Sequence, residues 1–172
     1  MAPDVTTPST SAFDDVLTAN EAYAATYHAR GLEGRAAKHL AVLTCMDSRI
    51  DPLATLGLVP GDAKILRNAG ARVTDDVLRT LVLATYLLDV RRVMVVAHTR
   101  CRMAGGPEAS VHEAIAGAGG PDTRSIAFLT TEDQEASLRA DVQRIRSWAY
   151  LRDVAVAGAV LDLDTGRLHP VC

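Results

Sequence analysis

The sequence lacks basic clusters, long apolar runs and an apolar N-terminal segment. Its most basic stretch is the pair Arg91-Arg92 and its formal net charge is -3, so attraction to nucleic-acid phosphates is not expected. Apolar runs such as residues 93–97 are far too short to cross a membrane. The N-terminus has neither the positive charge nor the apolar stretch of a secretory signal. We therefore expect a soluble, cytoplasmic protein that binds neither nucleic acid nor membrane.

Cysteine is also scarce. Three cysteines cannot form a fully paired disulfide framework. A reducing compartment would keep Cys45 and Cys101 free to bind metal as thiolates. Cys172 is the last residue, where we expect an exposed thiol on a mobile terminus without a role.

Length and composition indicate one domain. The chain has 172 residues, of which 48% are hydrophobic, and this is enough for one buried core. Residues 1–10 are polar and have no period, so we expect a flexible arm there. Residues 11–172 are expected to form a single domain.

Short apolar runs and helical periodicities alternate along the chain. The apolar runs predict buried strands at residues 40–43, 63–66, 93–97 and 154–160, and a last strand at 167–171 after the turn Asp164-Thr165-Gly166. The periodic segments predict helices that begin near Ser11, at an Asp51-Pro52 cap, at Thr74, around residues 110–116 and at a Thr131 and Gln134 capping box. This order predicts an α/β fold: a mostly parallel central sheet flanked by helices, with a C-terminal antiparallel hairpin strand.

Residues with metal-binding side chains follow two of these strands. Cys45 ends the first predicted strand and His98 ends the third. Ligands of such sheets bind beyond the carboxyl ends of the strands, where the strand order reverses. If the first and third strands are neighbours there, Cys45 and His98 come within metal-binding distance and Cys101 arrives from the following loop.

Two thiolates and one imidazole form a ligand set suited to zinc. Three protein ligands leave a fourth position for water, as in catalytic zinc sites. Asp47 and Arg49 add a charge pair that could control access to the metal. Each motif alone has an ordinary interpretation, namely a core histidine beside a buried thiol and a loop salt bridge. Their conjunction at two strand ends favours the zinc site. We therefore expect residues 11–172 to form a single zinc-binding α/β domain.

This conjunction resembles the β-class carbonic anhydrases, whose motifs are Cys-x-Asp-x-Arg and His-x-x-Cys. Here they read Cys45-Met46-Asp47-Ser48-Arg49 and His98-Thr99-Arg100-Cys101. The segment Arg67-Asn68-Ala69-Gly70 and the Asp164-Thr165-Gly166 hairpin are similar to that family too, so the resemblance runs from about Leu40 to the end. It implies zinc on Cys45, His98 and Cys101, and a catalytic dyad of Asp47 and Arg49.

The resemblance further implies a reaction and an assembly. Zinc would generate hydroxide near neutral pH, and this hydroxide would convert carbon dioxide reversibly to bicarbonate. The family also implies a homodimer or a higher even homo-oligomer, paired through the N-terminal helix and the sheet. In a closed, inactive form the Asp47 carboxylate would take the place of water on zinc. We hypothesise that this chain switches between the two forms with pH.

The second motif departs from the family pattern, which usually reads His-Thr-Asp-Cys-Gly-Met. Arg100 and Arg102 replace the aspartate and the glycine. Both arginines could point to solvent, or Arg102 could reach toward the site, where it would attract anions or obstruct a small neutral substrate. Two alternatives to a carbonic anhydrase therefore stay open: a hydrolase of carbonyl sulfide or carbon disulfide on the same scaffold, and a non-catalytic zinc- or anion-binding relative.

Three further polar residues have side chains that could take part in catalysis. His39 and His112 are candidate proton carriers because histidine titrates nearest neutrality, although neither matches a motif and a surface histidine without a role is the preferred interpretation. Ser48 has no glycine elbow around it and no obvious base, so a serine hydrolase is rejected.

Overall fold

The structure, a computed structural model, describes residues 10–172, so the predicted arm lies outside the described residues except for Thr10. The chain divides into two compact units, the first ending at Leu32 and the second comprising Glu33–Cys172. A single domain over residues 11–172 stays a prediction.

The first unit contains a 3-10 turn at Thr10–Phe13 and helix α1 (Asp14–Ala25). None of the residues of α1 is buried, and its apolar side chains Val16, Leu17 and Tyr23 are all exposed. The predicted start near Ser11 falls in the 3-10 turn, and the α-helix itself ends at Ala25.

Among the described residues, the second unit is built on a five-stranded sheet with the order β2-β1-β3-β4-β5. The strands are β1 (Leu40–Cys45), β2 (Ala63–Asn68), β3 (Arg92–His98), β4 (Ala155–Leu161) and β5 (Leu168–Pro170). The first four pair in parallel, and β5 pairs antiparallel with β4. The predicted fold class is confirmed, and each predicted strand exists with bounds shifted by one or two residues.

The strands separate two clusters of buried side chains. Successive residues of a strand point to opposite faces of a sheet. Ala41 and Leu43 of β1 accordingly belong to the larger cluster, while Val42 belongs to the smaller one. The larger cluster also receives the apolar sides of two helices, α3 (Asp75–Leu87) and α5 (Gln134–Arg146), through Leu78, Leu81, Val142 and Ile145. The sheet is therefore buried on both faces at the level of β1 and β3.

Local capping explains where two helices begin. The Thr74 side chain accepts a hydrogen bond from the Val77 N–H and caps α3, whose first turn carries Asp75 and Asp76. The Asp51 carboxylate caps the short helix α2 (Pro52–Thr55) by accepting from the N–H groups of Leu53 and Ala54. Both predicted caps are confirmed.

The capping box predicted for Thr131 and Gln134 is wrong. Asp133 is the N-cap of α5, because its carboxylate accepts a hydrogen bond from the Ala136 N–H at 2.9 Å. The Thr131 hydroxyl instead accepts from the Asp133 N–H and donates to the Asp133 carbonyl, which shapes the loop before the helix. Gln134 is thereby free for another contact.

Helix α4 (Glu108–Gly117) begins two residues before its predicted start.

The C-terminus is held against β4. The Gly158 N–H donates to the Cys172 carbonyl at 2.7 Å, and the Val171 N–H donates to the Gly158 carbonyl at 2.8 Å. A Cβ atom on Gly158 would lie 2.9 Å from the Cys172 sulfur, so the glycine makes room for that thiol. The expectation of an exposed Cys172 on a mobile terminus is wrong, since the residue is half-buried against the core.

No helix in the described part of the chain has the length and apolar character that a membrane span requires.

Candidate metal centre

Cys45, His98 and Cys101 converge at the carboxyl ends of β1 and β3. One ligand atom from each of these buried residues lies within 4.8 Å of the others. β1 and β3 are neighbours, so the last residues of these two strands meet at the same edge of the sheet. Cys101 follows in the loop after β3, before a 3-10 turn at Arg102–Ala104. The structure thus brings together the residues that the sequence nominated as metal ligands.

The His98 ring is oriented with one nitrogen available. Its Nδ1 lies 2.9 Å from the Thr99 carbonyl oxygen, to which the Nδ1–H donates. Nε2 then carries the lone pair, and it is buried without any hydrogen-bond partner. An unpartnered buried nitrogen is costly unless something else satisfies it. A metal ion among the three residues would do so, and the carbonyl contact is the usual outer partner of a ligating histidine.

The two thiols have the environment of a ligand pair. Burial raises the pKa of the Cys101 thiol, the N–H of Met103 opposes this effect, and the neighbouring Cys45 adds to the rise. The Cys45 sulfur accepts a hydrogen bond from the Gly70 N–H at 3.4 Å. Two adjacent buried thiolates need a compensating positive charge, which a divalent cation supplies. The residues present therefore fit a metal ion.

Asp47 and Arg49 form a bidentate pair at the edge of this site. Arg49 Nε donates to Oδ1 at 2.9 Å and Nη2 donates to Oδ2 at 2.6 Å, while the Arg49 backbone N–H also donates to Oδ1 at 3.0 Å. These contacts hold the pKa of the Asp47 carboxyl far below its ordinary range. Asp47 Oδ2 lies 3.8 Å from His98 Nε2. An ionised carboxylate thus lies beside the ligand atoms but is engaged by the guanidinium.

Two side chains that the sequence interpretation assigned no role hold the backbone of the site. Arg67 donates from Nε to the Cys45 carbonyl at 3.0 Å and from Nη2 to the Asp47 carbonyl at 2.7 Å. Gln134 donates from Nε2 to the His98 carbonyl at 3.0 Å. Arg67 is the first residue of the family-like segment Arg67-Asn68-Ala69-Gly70, and this was its only signal in the sequence. Nothing in the sequence pointed to Gln134.

The site opens into a cavity of about 860 Å³. Its lining includes Cys45, Asp47 and Cys101, the two arginines Arg100 and Arg102, and an apolar wall of α4 that presents Val111, Ala114 and Ile115. Arg100 has a left-handed backbone, with φ of 56°, and its guanidinium pairs with Asp164 at 2.8 Å. Arg102 is exposed and lines the same cavity. One arginine is therefore neutralised by the terminal hairpin, while the other faces the cavity with solvent around it.

The remaining candidates lie away from the ligands. His39 precedes β1 at the opposite end of the strand from Cys45, and its Nδ1 lies 3.1 Å from an Asp89 carboxylate oxygen. His112 lines a separate cavity behind α4, with its Nδ1 2.9 Å from the Thr123 hydroxyl. Neither histidine lines the metal cavity, and Ser48 is exposed.

Comparisons with known proteins agree with this geometry. A family model described as carbonic anhydrase matches residues 40–118. Beta-carbonic anhydrase 1 of Mycobacterium tuberculosis is 32% identical over 161 residues, which cover 92% of this chain and 96% of that protein. The crystal structure of carbonic anhydrase from Streptococcus mutans matches with a TM-score of 0.87 at 37% identity, covering 93% of this chain and 97% of that one. A carbon disulfide hydrolase of Acidianus sp. is 47% identical over 66 residues, only 38% of this chain and 32% of that protein.

The matched region contains the candidate metal ligands and the Asp47–Arg49 pair. Cys45, Asp47, Arg49, His98 and Cys101 all fall within the residues that the family model covers. The likeness to the mycobacterial protein extends over nearly the full length of both chains, and the likeness to the streptococcal structure shows the same arrangement of strands and helices. This chain belongs to the β-carbonic anhydrase family.

Proposed function

We propose that the chain is a zinc-dependent carbonic anhydrase that interconverts carbon dioxide and bicarbonate. The observation that supports this most strongly is the unpartnered Nε2 of His98, buried within 4.8 Å of the ligand atoms of Cys45 and Cys101. One imidazole and two thiolates favour zinc over the hard cations, which prefer oxygen ligands. When bound, zinc supplies Lewis acidity that lowers the pKa of water toward about 7.

Asp47 and Arg49 are the proposed catalytic dyad. The Asp47 carboxylate is ionised at neutral pH because Arg49 lowers its pKa, so its oxygens can only accept hydrogen bonds. An O–H group beside the ligand atoms would donate to Oδ2 and be oriented by it. Arg49 also donates to the Arg100 carbonyl at 3.3 Å, which ties the dyad to the second motif. The pair therefore provides a fixed acceptor in a cavity where the other described lining residues carry no carboxylate.

The same pair bears on the closed form, in which Asp47 is a fourth metal ligand. Asp47 accepts three hydrogen bonds from Arg49, two at Oδ1 and one at Oδ2, and the hydrogen bond at Oδ2 competes with metal binding by that oxygen. We propose the Arg49-bound arrangement as the active one. Activity that does not change between acid and alkaline pH in a zinc-loaded sample would contradict a pH-controlled switch.

The direct test measures zinc content and carbon dioxide hydration on the same purified sample. A Cys45→Ser variant is expected to lose zinc and turnover together, because one of three ligands is lost. Cys172→Ser is the matched control, since that thiol packs against Gly158 and should leave both quantities unchanged. Zinc without turnover in the unaltered chain would contradict the enzyme and favour a binding protein.

One observation favours a second enzymatic candidate. The 47% identity to a carbon disulfide hydrolase is higher than the identity to the mycobacterial carbonic anhydrase, but it covers only 66 residues. Carbon disulfide and carbonyl sulfide are linear molecules open to the same nucleophile as carbon dioxide. Turnover of these sulfur analogues without turnover of carbon dioxide would establish this candidate instead.

We further propose a homodimer or a higher even homo-oligomer in a reducing, cytoplasmic compartment. The exposed apolar residues of α1, among them Val16 and Tyr23, support an assembly that covers them. The buried free thiols Cys45 and Cys101 support a reducing environment. Light scattering coupled to size-exclusion chromatography checks the assembly, and a monomeric mass would contradict it.

A further inference from the structure

A buried ion pair lies behind the metal site and takes no part in the proposed chemistry. Arg72 Nε donates to Asp141 Oδ2 at 2.6 Å, and Arg72 Nη1 donates to the Leu129 carbonyl. The side chains are 19% and 9% exposed, respectively, and Asp141 lies on the core side of α5 between Leu138 and Val142. A pair of this kind is often no more stabilising than well-packed apolar residues. Stability alone therefore does not explain why an ion pair is placed here.

Arg72 closes the turn that contacts the Cys45 sulfur. The Asn68 side chain and the Arg72 backbone exchange two hydrogen bonds, from Asn68 Nδ2 to the Arg72 carbonyl at 2.7 Å and from the Arg72 N–H to Asn68 Oδ1 at 2.9 Å. The turn between them carries Gly70, whose N–H donates to the Cys45 sulfur at 3.4 Å. The position of this donor thus depends on how Arg72 is anchored.

The anchor comes from an element distant in sequence. Asp141 is 69 residues from Arg72, and α5 also contacts the second motif through Gln134 and the His98 carbonyl. In addition, the loop before α5 donates from the Thr131 N–H to the Met103 carbonyl at 3.0 Å. Helix α5 and its leading loop therefore contact the second motif and the turn that follows it, and the ion pair links α5 to the turn beside Cys45.

We propose that Arg72 and Asp141 are a positioning pair: they hold the Gly70 N–H on the Cys45 sulfur and so set the geometry and donor strength of that metal ligand. This inference rests on the proposed function, because it requires Cys45 to bind zinc. Outer contacts of this kind orient a ligand and tune the metal, and their loss typically costs roughly 10- to 100-fold in metal affinity or activity. Neither residue touches the reacting atoms.

The test is an Arg72→Met and Asp141→Leu double variant, which removes both charges without leaving one buried alone. We expect thermal unfolding of the metal-free protein to change little, and zinc affinity, measured by competition with a chromophoric chelator, to weaken by about tenfold. In cobalt-substituted protein, the thiolate-to-cobalt charge-transfer band should shift, because the Cys45 sulfur has lost its donor. A role in packing alone would not move that band.

Arg144→Met is the matched control. Arg144 is also on α5 and donates to the Val73 carbonyl and to Asp75 at 2.5 Å, beyond the turn. Unaltered zinc affinity in this control, together with a weakened double variant, supports the positioning role. Equal affinity in the double variant and the wild type overturns it, and so does an equal loss in the control.

Two single variants keep the proposal testable if the double variant does not fold. Arg72→Lys retains a positive charge opposite Asp141, and Asp141→Asn removes the partner charge. We expect the lysine variant to retain more zinc affinity than the asparagine variant, and equal affinities would overturn the ion pair as the cause. A wild-type chain that binds no zinc overturns the proposed function and this inference together, whereas failure of the variants alone leaves the proposed function intact.

Discussion

A comparison of two glycines tests the packing behind the metal site. Gly70 and Gly57 both have a left-handed backbone, with φ of 79° and 63°, respectively. A Cβ on Gly70 would lie 3.0 Å from the Cβ of Met103, whereas nothing lies within 4 Å of a Cβ on Gly57. Alanine at either position adopts the same unfavourable backbone conformation, but only at Gly70 does it also meet a neighbour.

The expected magnitudes follow from these distances. The left-handed conformation costs an L-residue about 1–2 kcal/mol. Both alanine variants should therefore have a free energy of unfolding lower by this amount. The Met103 contact adds about 1–3 kcal/mol for Gly70→Ala, because the Cβ of Met103 belongs to a backbone turn and cannot swing away. In a chain of 172 residues, each kcal/mol lowers the melting temperature by about 2–4 °C. Gly70→Ala should therefore melt several degrees below Gly57→Ala.

The same comparison has a metal readout. The Gly70 N–H donates to the Cys45 sulfur, so displacement of the turn should also weaken zinc binding in Gly70→Ala. Gly57→Ala should bind zinc like the wild type. Differential scanning calorimetry of the metal-free proteins and chelator competition measure the two effects. Equal melting temperatures and equal zinc affinities in the two variants would refute the close approach of Met103 and the role of the turn.

Three further outcomes are expected. Arg49→Gln should retain zinc, but its rate of carbon dioxide hydration should fall about tenfold or more, since the Asp47 carboxylate loses the two guanidinium hydrogen bonds that orient it. Unchanged turnover in a stopped-flow assay would contradict the dyad. Arg102→Gly should weaken inhibition by small anions about fivefold at low ionic strength, with the difference shrinking in salt, whereas unchanged inhibition constants would show that Arg102 does not act on the cavity. Because burial raises the pKa of the Cys101 thiol, protons compete with the metal for this sulfur. Zinc affinity should therefore rise with pH, by up to about tenfold per pH unit for each proton released on binding. A zinc affinity that does not depend on pH in chelator titrations would contradict this expectation.

Signals local in sequence predicted the elements well. The apolar run before Cys45 and the run before His98 are the central strands β1 and β3, because residues buried on both faces of a parallel sheet must be continuously apolar. Thr74 caps α3 as predicted. The cap of α5 was misassigned since Thr131 and Asp133 are both good cap residues, and only the path of the loop decides between them.

Contacts between residues far apart in the sequence were not predicted. Gln134 reaches the His98 carbonyl across 36 residues, and Asp141 reaches Arg72 across 69. Cys172 packs against Gly158 for a similar reason, because the returning hairpin brings the chain end to β4. None of these pairs has a spacing that a helix or strand period would bring together.

The sequence by itself determined the candidate ligand set and where it lies: the thiols of Cys45 and Cys101 and the imidazole of His98, at or just after the ends of parallel strands. Local propensity and apolar patterning are properties of short segments, and this is why they could be read without coordinates. The tertiary structure alone decided which nitrogen of His98 is available, which arginine is neutralised by Asp164, and which residues of α5 hold the turn beside Cys45. These depend on hydrogen bonds and ion pairs between segments, whose geometry exists only once the sheet and its helices have packed.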